Sequence, residues 1–132
     1  MKIAVLGAGA MGSIYGGHLS LHNDVYMIDK KQELVDKINN DGLKLFENDE
    51  DVIYRPTALS ESSKLGEVDL VILFVKSLYS RTALMENRHI IGGNTYVMTL
   101  QNGAGHEDII SEFVPLDRTI IGTTEDNGAI LD

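Results

Sequence analysis

Four places in this 132-residue chain carry residue types and spacings suited to chemistry. The first is Gly7-Ala8-Gly9-Ala10-Met11-Gly12, directly after the apolar run Ile3-Ala4-Val5-Leu6. Gly7 permits a tight turn. Gly9, with no Cβ, lets the backbone approach a pyrophosphate, and Gly12 lets a following helix pack on the strand. The free N–H groups and positive dipole end of that helix would hold the anion. The second is Asp29, after the apolar stretch Asp24-Val25-Tyr26-Met27-Ile28. It stands about 20 residues past the glycines, where a carboxylate can hydrogen-bond adenosine ribose hydroxyls. The third is Lys76, after Val68 to Val75, a point charge for a phosphate, a ribose hydroxyl or a substrate carboxylate. The fourth is Asn102 in Gln101-Asn102-Gly103, whose amide offers donor and acceptor to a nicotinamide ribose or a substrate carbonyl.

These positions need elements to hold them. Residues 10–21 read as a helix with Met11, Ile14, Tyr15, Leu19 and partly His18 on one face. Gly16 and Gly17 inside it each cost about 1 kcal/mol relative to Ala, which close approach to a sheet would explain. A second helix over residues 30–40 turns Leu34, Val35 and Ile38 inward and stops at Asp41-Gly42. Leu43 to Phe46 and Val52 to Tyr54 read as short strands around the acidic Glu47-Asn48-Asp49-Glu50-Asp51. That knot fits a solvated hairpin tip, since it lacks EF-hand spacing and the central Gly. Pro56 ends the second strand or confines it to an edge, and residues 57–67 read as loop with at most one helical turn.

Val68 to Val75 is continuously apolar past Asp69, as a central parallel strand covered on both faces requires. A helix over residues 77–87, capped by Ser77, follows. Then come a strand over 95–100, a turn over 101–105, a helix over 106–113 closed by Pro115, and a last strand over 119–123. The alternation predicts a single Rossmann-type domain over residues 1–132: α/β, a doubly wound, mostly parallel sheet. In such a sheet the ligand lies beyond the carboxyl ends of the strands. The glycine turn, Asp29-Lys30-Lys31, Lys76-Ser77 and Gln101-Asn102-Gly103 all stand there.

Composition narrows the function classes. A net charge of −9 argues against nucleic acid, whose phosphates need a basic surface. The absence of Cys removes disulfides, thiolate nucleophiles and Cys-based metal sites. The longest apolar run, Leu70 to Val75, is too short to span a membrane, and Met1-Lys2 before a core strand leaves no room for a signal peptide. Together these lead us to expect a cytoplasmic protein. His18, His22, His89 and His106 form no metal-ligand pattern with a carboxylate, and His18 and His22 read as surface or interface groups. No metal is expected.

With these residues in place, the chain resembles the ketopantoate reductase (2-dehydropantoate 2-reductase) family over essentially its whole length. The resemblance is carried by Gly7-Ala8-Gly9-Ala10-Met11-Gly12, Val75-Lys76-Ser77, Gln101-Asn102-Gly103-Ala104-Gly105 and Gly122-Thr123-Thr124. It implies reduction of ketopantoate to pantoate with NADPH, on the route to pantothenate and coenzyme A. It also implies that residues 7 to 12 hold the pyrophosphate, that Lys76 and Asn102 line the cofactor and substrate cleft, and that Gly128 contacts the cofactor again. Family members that use NADPH carry a basic residue after the second strand for the 2′-phosphate. Lys30 and Lys31 answer to it here, but Asp29 before them suits the free hydroxyls of NAD. An NAD-dependent dehydrogenase of bulky D-2-hydroxy acids is therefore an alternative within the family.

The resemblance places the general-acid lysine and a substrate-binding glutamate in a helical C-terminal domain that residues 1–132 do not include. No catalytic residue is expected in this chain, and little activity from it alone. The expected partners are a dinucleotide and, in a complete enzyme, a small 2-oxo acid. Neither nucleic acid nor membrane is expected, and a homo-oligomer is left open. A rival of another class is the regulatory nucleotide-sensing module of a potassium transport system, which shares the glycine turn and a strand ending like Ile28-Asp29-Lys30. Other dehydrogenases, of the 6-phosphogluconate or 3-hydroxyacyl-CoA type, fit the Lys76 and Asn102 contexts less well.

Overall fold

The computed structural model of the chain describes residues 1–100 and 106–122, except for the side chain of Ser77. Strand β1 (Lys2–Leu6) leads through the glycine turn into α1 (Ala10–Leu19), then β2 (Asp24–Ile28) and α2 (Gln32–Asp41). Strands β3 (Leu43–Glu47) and β4 (Glu50–Tyr54) form a hairpin, and β5 (Thr57–Leu59) and β6 (Leu70–Leu73) follow. Helix α3 (Ser80–Glu86), β7 (Tyr96–Thr99), α4 (His106–Ser111) and β8 (Thr119–Ile121) complete the described chain. Six strands pair in the order β5-β2-β1-β6-β7-β8, every pair parallel. The direction of strand order reverses beside β1, which puts the switch point at the glycine turn. The expected doubly wound α/β sheet is the observed fold.

Alternation along the strands divides the core. Ile3 and Val5 of β1 join Val25, Met27, Val35, Ile38 and Tyr54 in one cluster. Ala4 and Leu6 join Val71, Leu73, Leu84, Val97 and Ile110 in the other. Successive side chains of a strand point to opposite faces, so one five-residue strand supplies both layers. The acidic knot is the expected hairpin tip: Asn48 and Asp49 hold positive φ (51° and 65°) between β3 and β4. A two-residue turn of this hand matches the twist of the strands, and Asn and Asp tolerate it.

Four details differ from the sequence reading. Residues 57–59 form the edge strand β5, paired with β2, rather than loop. Three residues after a proline give almost no periodic signal, and much of their support comes from α2. Asn39 donates its amide to Ala58 O (2.9 Å) and accepts from Ala58 N (2.8 Å), standing in for a missing strand neighbour. The helix over 77–87 splits: a 3₁₀ turn covers Ser77–Tyr79, and α3 starts at Ser80 with Tyr79 as its N-cap, so Ser77 does not cap it. The central strand is shorter than Val68 to Val75, although Asp69 N to Lys2 O and Phe74 N to Leu6 O continue its ladder at both ends. Finally, the buried face of α1 is Gly12, Gly16 and Gly17, with Met11, Ile14, Tyr15 and Leu19 only partly buried. A Cβ on Gly16 would stand 2.2 Å from Met27 Sδ, and one on Gly17 3.3 Å from the Tyr54 ring. Both glycines thus bring α1 close to the sheet and hairpin, as their presence in a helix suggested.

Candidate functional site

The glycine turn is shaped by contacts its side-chain-free residues allow. Gly7 takes φ +105°, a backbone region that L side chains rarely adopt, and a Cβ there would press on the Phe74 carbonyl at 3.1 Å. A Cβ on Gly12 would lie 2.1 Å from Gly7 O, so the first turn of α1 rests on the turn that precedes it. Gly9 is different. It is exposed, and nothing lies within 4 Å of where its Cβ would be. Gly9 is also the N-cap of α1, no side chain caps the helix, and no acid stands in its first turn. The leading N–H groups of α1 are therefore open to an outside anion, over a space a larger residue would fill. Ala8 is buried beneath this turn, Ala10 is exposed and Met11 half-buried.

Asp29 is tied into the same turn. Its Oδ2 accepts from Ala8 N at 2.9 Å and its Oδ1 from Lys31 N at 3.0 Å. The end of β2 is thereby fixed to the turn after β1, which Gly7 N to Ile28 O (2.9 Å) also joins. A carboxylate offers about four acceptor directions, so two remain for outside donors such as a pair of ribose hydroxyls.

Beside Asp29 opens a cleft of about 610 Å³, with Leu6, Ile28, Val75, Tyr79 and Ala83 among its apolar walls. This is the size range of small-molecule and cofactor sites. Gly7, Asp29 and Lys30 line it on one side and Glu86, Asn87 and His89 on the other. The segment after β5 closes one end. There the Ser63 hydroxyl and N–H both donate to Glu61, holding its carboxyl below the usual carboxylate range. The Ser62 hydroxyl meets Asn87 Oδ1, and His89 Nε2 lies 2.6 Å from Ser62 O. Asn87 is anchored in turn by donating to Ala83 O at 2.8 Å.

Of the expected site residues, the structure brings Gly7, Asp29 and Lys30 into one cleft and joins Ala8 to Asp29 directly. Gly9, Ala10, Met11 and Gly12 stand beside it at the start of α1. Lys76 is exposed after β6, between Val75 and the 3₁₀ turn, and does not line the cleft. Asn102, Gly103, Gly105 and Gly128 lie outside the described residues. His18 pairs with Glu47 at 2.9 Å and His22 is exposed, in keeping with surface groups. Sequence reasoning missed Ser60 to Ser63, Tyr79, Glu86 and His89. The only signal for the first of these was the polar run that follows β5.

Known proteins resemble this chain in sequence and fold. The family profile described as ketopantoate reductase PanE/ApbA matches residues 3–132. The 2-dehydropantoate 2-reductase of Lactococcus lactis is 38% identical over 129 residues, covering 94% of this chain and 41% of that protein. That of Pyrococcus abyssi is 37% identical over 133 residues, covering 100% and 42%. Among solved structures, D-mandelate dehydrogenase in ternary complex with NADH and anilino(oxo)acetate superposes with TM-score 0.83 at 42% identity, covering 93% of this chain and 40% of that one. A PanE/ApbA family ketopantoate reductase from Ralstonia eutropha JMP134 gives TM-score 0.79 at 30% identity, covering 92% and 40%. The chain spans about two fifths of the length of the relatives it matches. Among the described residues no helix is long and apolar enough to cross a membrane. The glycine turn, the sheet order and the match over residues 3–132 lead to one conclusion: the chain belongs to the ketopantoate reductase PanE/ApbA family.

Proposed function

We propose that these residues form the dinucleotide-binding part of a reductase of small 2-oxo acids, and that the dinucleotide is NADH. The observation that carries the choice of dinucleotide is Asp29, a carboxylate held at the end of β2 by Ala8 N and Lys31 N. It keeps acceptor capacity for free ribose hydroxyls and repels a 2′-phosphate. D-mandelate dehydrogenase, a structural relative at 42% identity, is described with NADH, which supports the same reading.

The residues present fit such a group. The open space over Gly9 and the uncapped start of α1 suit a pyrophosphate, and Asp29 suits the adenosine ribose. When bound, the reduced nicotinamide supplies a hydride to the carbonyl carbon of the 2-oxo acid. The chain's own residues bind and orient. Lys76, and Asn102 by the resemblance, are our assignments for the nicotinamide and substrate side. The alkoxide must take a proton, and we assign its donor to sequence outside residues 1–132.

A second reading, NADPH with ketopantoate as substrate, is favoured by Lys30 and Lys31 beside Asp29 and by the names of the relatives. Paired titrations of the chain with NADH and NADPH, followed by nucleotide fluorescence, separate the two. We expect NADH to bind tighter. Asp29→Ala should weaken NADH about tenfold, the scale of hydrogen bonds to a charged group, and should not weaken NADPH, whose 2′-phosphate is relieved of a like charge. Tighter binding of NADPH by the unaltered chain would establish the second reading instead. Failure of both nucleotides to bind below millimolar would remove the dinucleotide reading.

A further inference from the structure

Lys30 is the residue that ought to welcome a 2′-phosphate, yet it is already engaged. Its Nζ lies 2.9 Å from Glu86 Oε1, across the cleft that both residues line. Glu86 is the last residue of α3. A helix C-terminus is the negative end of the dipole and disfavours a carboxylate, and the last turn of α3 has no basic residue to offset it. Helix chemistry therefore gives no reason for an acid at this position. The cation on the opposite wall does.

The charges facing this pair point the same way. Among the described residues the cleft is lined by the carboxylates of Asp29, Glu61 and Glu86, by the ammonium of Lys30 and by the imidazole of His89, which is held against Ser62. Asp29 and Glu61 are fixed by hydrogen bonds from Ala8, Lys31 and Ser63. Lys31 is exposed and does not line the cleft.

We propose that Glu86 is a specificity-determining residue: it engages Lys30 across the cleft and so makes the site discriminate against a 2′-phosphorylated dinucleotide. The proposal rests on the reading that this cleft receives the adenosine half of a dinucleotide. A 2′-phosphate that recruited Lys30 would break the ion pair and leave Glu86, with Asp29, as like charges beside it. A free 2′-hydroxyl meets neither difficulty. Both members of the pair are substantially exposed, with side-chain exposures of 76% and 48%. The discrimination is therefore of the modest size that exposed ion pairs have.

Equilibrium titration of NADH and NADPH against the unaltered chain, Glu86→Gln, Glu86→Ala and the Glu86→Gln/Lys30→Gln double variant tests this. Thermal unfolding of each variant checks that it is folded. We expect the affinity ratio of NADPH to NADH to rise about three- to five-fold in both Glu86 variants, as loss of one exposed pair allows. The double variant should return to the ratio of the unaltered chain. Added salt should shrink the gain, because the attraction between exposed charges is screened. A chain that prefers NADH but keeps the same ratio in both Glu86 variants would overturn this proposal and leave the NADH reading standing. A rise that persists in the double variant would also overturn it, since Lys30 would not be the group released. A chain that prefers NADPH, or binds neither nucleotide, overturns the reading and this proposal together.

Discussion

Along the glycine turn and α1, main chain packs on main chain and on core side chains. A Cβ on Gly12 would stand 2.1 Å from Gly7 O, and one on Gly7 3.1 Å from the Phe74 carbonyl. Across the cleft, α3 and the segment to His89 meet their surroundings through side chains. Lys30 reaches Glu86, His89 reaches Ser62 O, and Arg81 reaches Glu112 at 2.7 Å. Backbone contact at van der Waals distance tolerates no added atom, whereas a solvated ion pair can be lost for little. The first wall is therefore rigid in what it accepts, and the second can lose a contact at little cost to the fold. Gly9 is the exception on the first wall, packed against nothing.

The largest effect that would break this contrast is at Gly12. Gly12→Ala should destabilise the chain by about 3 kcal/mol, the upper range for overpacking, read as a fall in the urea midpoint. A change near zero would mean that α1 can move off the turn, and the rigid-wall account would fail. Gly9→Ala should do the opposite. With open space at its Cβ and φ −72°, its stability should stay within about 1 kcal/mol of the unaltered chain. Its NADH affinity should fall at least about tenfold, the scale of one lost charge-assisted contact. If stability and binding fell together at Gly9, the open space would not be a ligand cradle.

The smallest effect is at the exposed ion pair of Arg81 with Glu112, which does not line the cleft. Arg81 donates to both Glu112 oxygens and holds the Glu112 carboxyl below its ordinary value. Such a group contributes stability above its unfolded value, near pH 4.3, and loses that contribution as pH falls through the depressed folded value. The pair is about half exposed, so the contribution is small. Glu112→Gln should therefore be slightly less stable than the unaltered chain at pH 7, with the gap closing below pH 4 in urea titrations. A gap that widened in acid would reverse the sign and discard the ion pair as its cause.

How far the site could be read beforehand follows the same division. The placement of Gly7, Gly9, Gly12 and Asp29 around one turn was legible because it depends on backbone shape and fixed spacing within one strand-turn-helix-strand unit. The same local logic gave the hairpin at Asn48-Asp49 and the buried stripe of β6. Strand β5 was not legible, since three residues after Pro56 carry too little pattern and their ladder is completed by Asn39, nineteen residues away. Ser62, Glu86 and His89 were not legible either. No motif joins them, and they become neighbours only because the segment after β5 packs against the end of α3 and the turn that follows it.

The sequence by itself determined the fold class, the glycine turn that opens α1 and the acid that follows the second strand, because each is a local matter of Cβ sterics and strand period. Tertiary structure decided which face of α1 is buried, that β5 joins the sheet and that Lys30 is met by Glu86. Those depend on packing and charge between segments far apart in the chain, whose distances are set only when the sheet assembles.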